Sequence, residues 1–242
     1  MERVPSLSVC FPVFNEEGNI ERSVHEAAAA IAPLCERPEI VAVDDCSRDR
    51  TPRLLDRLRE SYPFLKVVHL SHNTRFAGAL ARALKEASGE LVFYTDADCP
   101  VDFGDLHDVL PLMHRVDVIA GYRVDRHEGL RRALYSSGYN LLIETMFGLR
   151  VRDVNFAFKL FRRAVIEAIE IRSRGSFIDA ELLLEARRHG FTVRQVGVHY
   201  RPRVAGESTL ADPGIARRCA TEALRYRLGL APWARNGAPD PR

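Results

Sequence analysis

The chain is poor in several features that would otherwise define it. Its 242 residues hold only five cysteines, at positions 10, 35, 46, 99 and 219, with no C-x-x-C pair. That odd, scattered set excludes a disulfide framework and a cysteine zinc site, and it points to a reducing compartment. No stretch approaches the roughly 20 apolar residues of a spanning helix, and Pro33 stops the apolar run at 27–31. The N-terminus lacks the basic, apolar and small-residue order of a signal peptide. A cytoplasmic chain, peripheral to a membrane at most, is expected. The first strand–helix turn has no G-x-G-x-x-G, and no G-x-x-x-x-G-K-[ST] occurs, which disfavours a dinucleotide dehydrogenase and a P-loop enzyme. Low-complexity tracts and internal repeats are also missing.

What is present is a globular composition, 46% hydrophobic and 28% charged, in a length that fits one domain. The net charge of +2 conceals an asymmetry. Residues 1–122 carry 13 basic and 20 acidic side chains, whereas residues 123–228 carry 20 basic and 12 acidic ones. An acidic half suits metal binding, and a basic half suits a phosphate-bearing partner or an anionic membrane face, although solvated surface charge explains either.

Apolar β-branched runs alternate with helical patterns. Strands are expected at 7–14, 40–43, 66–70, 91–95 and 116–120. Helices are expected at 17–32 (opened by Asn15), 52–61, 76–87 and near 106–113. This rhythm predicts an α/β fold with a mostly parallel sheet covered by helices on both faces. After Tyr122 the pattern changes. It gives a long amphipathic helix or broken pair at 130–147, a strand at 154–161, helices at 164–169 and 180–188, a strand at 192–200 and a basic amphipathic helix at 215–228. Residues 231–242, rich in Pro, Gly and Ala, read as a disordered tail.

Ligands of such sheets bind beyond the carboxyl ends of the strands, and three acid clusters fall there. At Val43-Asp44-Asp45-Cys46-Ser47-Arg48-Asp49-Arg50-Thr51 a strand runs into adjacent carboxylates. Helix capping accounts for Ser47 or Asp49 but not for Asp44 and Asp45. At Phe93-Tyr94-Thr95-Asp96-Ala97-Asp98 a strand ends in acid-x-acid. Carboxylates at i and i+2 face one side of an extended chain and repel unless a cation lies near. Mg²⁺ takes one or two protein carboxylates and completes its shell with phosphate and water, so this pair reads as a diphosphate–metal platform. Pro12-Val13-Phe14-Asn15-Glu16-Glu17 ends the first strand, and a helix cap with dipole-friendly acids competes with a binding role there.

These three clusters, with Asn73-x-Arg75-Phe76-x-Gly78-Ala79, resemble the motifs of family 2 glycosyltransferases, inverting enzymes with the Rossmann-like GT-A fold. The resemblance runs from about residue 7 to 208. It is closer to the polyprenyl-phosphate branch, the dolichyl-phosphate mannosyltransferase type. Gly121-Tyr122-Arg123, Arg132-x-x-x-Ser136-x-Gly138, Asp153-Val154-Asn155-x-x-Phe158-Lys159-x-Phe161, Phe177-Ile178-Asp179-Ala180-Glu181-Leu182 and Arg203-x-x-Gly206-Glu207-Ser208 carry that likeness. It implies one domain over 1–230, with a nucleotide-sugar-binding core at 1–122 and an acceptor-side extension at 123–230.

The resemblance further implies donor contacts from Pro12, Phe14, Asn15, Glu16, Asp44, Asp45, Ser47, Asp49, Arg75, Gly78, Asp96, Ala97, Asp98, Lys159, Arg203 and Ser208. Mg²⁺ or Mn²⁺ would sit on Asp96 and Asp98. Arg123, Arg132 and Ser136 would hold the acceptor phosphate, and Asp98, Asp179 and Arg123 would be catalytic. Physically, arginine forks suit a phosphate monoester, and Arg132 and Ser136 are four apart and share a helix face. For the arginine pair 131–132 a solvated face is the simpler reading, and an apolar-flanked Lys159 can snorkel. The expected partners are a nucleotide-diphosphate sugar, a polyprenyl phosphate at a membrane surface and an integral-membrane protein, with no nucleic acid. A glycan hydroxyl acceptor, with Asp179 as base, and a non-catalytic nucleotide-sugar-binding module are the alternatives. Many members of the branch continue into spanning helices. Here the basic amphipathic helices at 130–149 and 216–228 are expected to meet the inner face of the membrane.

Overall fold

A computed structural model of the chain describes residues 3–98, 101–124, 130–200 and 213–230. In chain order the first half contributes β1 (Val4–Val13), α1 (Ile20–Ile31), β2 (Cys35–Asp44), α2 (Thr51–Ser61), β3 (Leu65–His69), α3 (Arg75–Glu86), β4 (Leu91–Tyr94), α4 (Asp105–Val109) and β5 (Val118–Arg123). The second half adds α5 (Leu130–Phe147), β6 (Lys159–Arg162), α6 (Arg163–Ala168), α7 (Ile178–Arg188), β7 (Val193–Val198) and α8 (Pro213–Arg227). The described strands form one sheet in the order β3-β2-β1-β4-β6-β5-β7. All neighbours pair in parallel except β6, which runs against both β4 and β5.

Strand alternation divides the core between the two faces. Leu7, Val9, Phe11 and Val13 of β1 pack with Val24 and Ile31 of α1, Leu54, Leu55 and Leu58 of α2, and Leu106 of α4. Cys10 looks the other way, with Ala77, Leu80 and Ala83 of α3, Ile143 of α5, Leu182 and Leu183 of α7, and Ala223 of α8. The expected parallel α/β sheet with helices on both faces is therefore observed.

Two expectations need correction. Of the strand expected at 154–161 only residues 159–161 are extended, within β6 (Lys159–Arg162). Before it the chain turns back on itself, with Phe158 N donating to Phe156 O at 2.8 Å. The apolar pattern of Val154, Phe156, Ala157 and Phe158 reflects burial in both core layers rather than strand pairing. The first helix starts at Ile20, after Asn19, and not at Asn15.

Asn15 instead joins a lock between the loops that follow β1 and β2. The amides of Asn15, Glu16 and Glu17 donate to Ser47 Oγ (2.9 Å), Thr51 Oγ1 (2.9 Å) and Asp49 Oδ2 (3.1 Å). In return the amides of Arg48 and Arg50 donate to Asn15 Oδ1 (2.8 Å) and Glu17 Oε2 (2.9 Å). Asn15 and Cys46 hold φ of 53° and 62°. That left-handed conformation costs an L-residue about 1–2 kcal/mol, and the lock maintains it. Burial alone would raise the Asp49 carboxyl, but hydrogen bonds from the Thr51 hydroxyl and amide and the Glu17 amide outweigh it and lower its pKa.

Two stability outcomes follow from this packing. A Cβ at Gly121 would lie 2.8 Å from Phe158 Cβ, so Gly121→Ala should destabilise by about 1–3 kcal/mol in urea unfolding. Asp49→Ala should remove roughly 1–3 kcal/mol at neutral pH. Because the folded pKa of Asp49 is lowered, its contribution is complete above the ordinary value near about 4 and is lost as pH falls through the lower folded value. The gap between the thermal midpoints of the two proteins should therefore close in acid.

Candidate active site

The parallel strands β2, β1 and β4 end at the same edge of the sheet, and a cavity of about 380 Å³ opens there. Pro12 and Val13 at the end of β1 line it with Phe14 and Glu16 just beyond, Asp45 after β2, and Tyr94, Asp96, Ala97 and Asp98 at the end of β4. Asn73, Arg75, Phe76 and Ala79 border it from the start of α3. Asn155, Ser176 and Asp179 close it from the second half of the chain. Acids from separate strands thus converge on one space, as their strand-end positions predicted.

Asp45 is buried, and its Oδ1 accepts from the amide (2.6 Å) and hydroxyl (2.8 Å) of Thr74. Burial raises its pKa, and the Thr74 bonds oppose the rise. Arg75, the next residue, has φ of 66°. The left-handed non-glycine residues among those described are Asn15, Cys46 and Arg75; Arg75 lines the cavity, and the other two adjoin the lining residues Phe14, Glu16 and Asp45 in sequence. Gly78 acts indirectly: a Cβ there would meet Thr74 Oγ1 at 2.4 Å, so the glycine leaves room for the side chain that binds Asp45.

Asp96 and Asp98 share the cavity wall, and Asp98 is 2% exposed. Arg22 donates to the Asp98 carbonyl at 3.1 Å, and Ser23 to that of Ala97 at 2.6 Å, which fixes the backbone of the acidic turn. The Tyr94 hydroxyl lies 3.5 Å from Asp96 Oδ1. Its pKa is pushed well up by burial and then by Asp179, Asp96 and Asp98, so it remains a neutral donor. Among the described residues no three His, Cys, Asp or Glu side chains form a closed metal cage. Two carboxylates on one wall, with other positions left for phosphate and water, are nevertheless the donor set that Mg²⁺ takes, so Asp96 and Asp98 fit a divalent ion.

Several expected ligand contacts have other partners. Asp44 receives the Ser47 amide at 3.0 Å and has His69 Nδ1 at 2.8 Å. With Ser47 and Asp49 it builds the loop lock and is not part of the cavity lining. Lys159 does not snorkel: it is 1% exposed, lies off the lining and meets Asp179 Oδ1 at 2.5 Å. Arg123 makes a bidentate pair with Asp153 (2.7 and 3.1 Å), beside the rings of Phe156 and Tyr200. It braces the segment carrying Asn155 and does not border the cavity. Glu181 accepts from the amides of Arg172 and Ser173. Ser136 lies on α5, as does the backbone of Arg132, and Arg203 and Ser208 lie outside the described residues.

Seven lining residues were not among the site residues expected from the sequence: Val13, Asn73, Phe76, Ala79, Tyr94, Asn155 and Ser176. Asn155 Oδ1 is buried without a hydrogen-bond partner among the described residues. Asn155 stands inside the Asp153-Val154-Asn155 motif, which was the available signal. Ser176 had none, because only the fold brings its loop to the rim.

Residues 8–170 match the profile of "Glycosyl transferase family 2". Glycosyltransferase AglD of Haloferax volcanii is 30% identical over 210 residues, covering 81% of this chain and 33% of that protein. Undecaprenyl-phosphate 4-deoxy-4-formamido-L-arabinose transferase of Yersinia enterocolitica is 26% identical over 210 residues, covering 86% of this chain and 63% of that one. The chain thus spans one third and just under two thirds of these relatives. Glucosyl-3-phosphoglycerate synthase of Mycobacterium tuberculosis, solved with Mn²⁺, uridine diphosphate and glucosyl-3-phosphoglycerate, superposes with a TM-score of 0.73 at 20% identity. The match covers 93% of this chain and 80% of that one, and the shared architecture is the GT-A fold. With well over half of its length matched, the chain belongs to glycosyl transferase family 2.

Proposed function

We propose that the chain is an inverting glycosyltransferase moving a sugar from a nucleotide-diphosphate sugar to a polyprenyl phosphate. One observation carries the reading: Asp45, Asp96, Asp98 and Asp179, from three separate segments, border one cavity together with Arg75. The name of the Yersinia relative, which specifies undecaprenyl phosphate, supports the acceptor, and the Mn²⁺ and uridine diphosphate of the mycobacterial neighbour support the donor.

In this mechanism Asp45, held by Thr74, receives hydrogen bonds from the nucleoside, and Arg75 faces the diphosphate. Asp96 and Asp98 would hold a divalent ion, whose positive charge would supply electrostatic stabilisation to the leaving diphosphate. The acceptor phosphate is largely dianionic at neutral pH, since its second pKa is near ~6, and it attacks without a general base. It needs orientation, which Arg132 and Ser136, one turn apart on α5, would supply. Arg203 and Ser208 would add donor contacts, and Asn155, Ser176 and Asp179 would meet the sugar.

A lipid acceptor requires a membrane surface, and no helix among the described residues is long and apolar enough to cross a bilayer. The outward face of α8 and the residues after it suit an anionic leaflet. Arg217, Arg218, Arg225 and Arg227 are exposed beside Leu224, Leu228 and Leu230, and the one acid of this stretch, Glu222, is turned inward. A cationic face with intercalating leucines matches lipid headgroups by charge and by apolar insertion.

Incubation with nucleotide sugars, Mn²⁺ and undecaprenyl phosphate should give a lipid-linked sugar, and chelation should abolish it. Asp98→Ala should weaken Mn²⁺-assisted binding of the nucleoside diphosphate at least tenfold in calorimetry; unchanged affinity would remove the metal assignment. The chain should co-sediment with phosphatidylglycerol vesicles, and reversing Arg217, Arg218 and Arg225 to Glu should weaken that partition about 100-fold or more. Equal binding to neutral vesicles would rule out the charged face.

A further inference from the structure

Lys159 is one of three lysines in the chain, and its place in the sheet is unusual. It stands on β6, the reversed strand, opposite Tyr94 of β4 on one side and Ala120 of β5 on the other. This wedge carries an ammonium beneath the cavity wall with almost no access to water. Nζ meets Asp179 Oδ1 at 2.5 Å, donates to Phe156 O at 2.9 Å, and lies 5.6 Å from the Tyr94 ring centroid. Two of its three N–H donors are therefore committed to oxygens, and an aromatic face covers a further side.

Asp179 opens α7 and lines the cavity while being only 3% exposed. Among the described residues the other titratable groups near it are Asp153, Tyr94, Tyr139 of α5 and Cys219 of α8. None of these supplies positive charge, and Asp153 is already matched by Arg123. Among the described residues Lys159 is the cation paired with Asp179. A buried ion pair gives little net stability over an apolar pair of the same size, so stability alone is a weak reason for this one. The Arg123–Asp153 pair lies off the lining, but Asp179 has a ligand space in front of it.

We propose that Lys159 is a positioning residue for the transfer reaction. By holding Oδ1 of Asp179 it fixes the carboxylate so that its other oxygen, Oδ2, faces the sugar end of the cavity. This rests on the reading of the cavity as a nucleotide-sugar site. The two residues then act as one unit, and loss of either removes the same contact.

The test compares Lys159→Met, Asp179→Asn and the double variant in the full chain, by thermal midpoint, donor KM and kcat. Lys159→Met strands a buried carboxylate and should lower the midpoint by roughly 10 °C. The double variant, with a neutral pair, should regain most of that loss. Lys159→Met should reduce kcat at least 100-fold and raise donor KM by the same factor as Asp179→Asn, and the double variant should be no slower than Asp179→Asn alone. If Lys159→Met does not fold, the double variant against Asp179→Asn makes the same comparison. Retention of kcat within threefold in Lys159→Met, or multiplying losses in a double variant of restored stability, would overturn the proposal. Absence of transfer by the unsubstituted protein would instead overturn the glycosyl-transfer reading. Binding of uridine-diphosphate glucose with Mn²⁺ then reads the pair: both single variants should weaken it by one common factor and the double variant no further, whereas independent factors would refute the coupling.

Discussion

In the parallel register of β2, β1 and β4, Val13 pairs with Asp44 and Cys10 with Tyr94, and the rest of the site depends on that alignment. Parallel strands place their carboxyl ends on one edge, so the residue following each apolar run emerges at the same level. Asp45, Asp96 and Asp98 meet around one cavity for this reason and not because they are near in sequence. An antiparallel arrangement of the same segments would have sent Asp45 and Asp98 to opposite ends of the sheet.

Gathering acids in this way is unfavourable unless the surroundings answer them. Two carboxylates a few ångströms apart repel strongly once water is excluded. Burial drives the pKa values of Asp45 and Asp179 upward, and each is opposed by a specific partner: Thr74 with two donors, and Lys159 with an ammonium. The left-handed residues Asn15, Cys46 and Arg75 are part of the same compromise. Strained turns bring backbone amides to bear on polar side chains, and the β1–β2 lock keeps those turns from relaxing. Loops tied down by hydrogen bonds in this way have less conformational entropy to lose when a ligand binds.

Much of this geometry was legible in the sequence, and the places where the structure adds other partners share a cause. Asp45, Asp96 and Asp98 could be placed because an acid directly after a buried strand of a parallel sheet emerges where ligands bind. Asp44, Ser47 and Asp49 were expected to touch the donor for the same reason, yet short polar side chains also lock loops, and here they do so. Arg123 and Lys159 read as phosphate contacts because their charge is visible in the sequence and their burial is not. Their partners, Asp153 and Asp179, lie 30 and 20 residues away, and only the reversed insertion of β6 joins them. That reversal left no mark in the apolar pattern, which predicted a longer strand. Asn155 and Ser176 carry no charge and reach the cavity through tertiary folding alone.

In the second half of the chain α8 presents two chemically different faces. The outer face of α8 is arginine and leucine, while its inner face holds the wall of the cavity. Tyr226 packs its ring against Phe147 and Phe177, with centroids 5.7 and 5.3 Å apart. Glu222 accepts from the Phe177 amide, and Cys219 bonds with Ser176. Residues 176 and 177 lead directly into the first turn of α7, where Asp179 stands. A carboxylate stranded in a hydrophobic interior would be protonated or pushed aside. It stays in place because Lys159 pulls from the sheet side and the α8 contacts fix the turn that carries it.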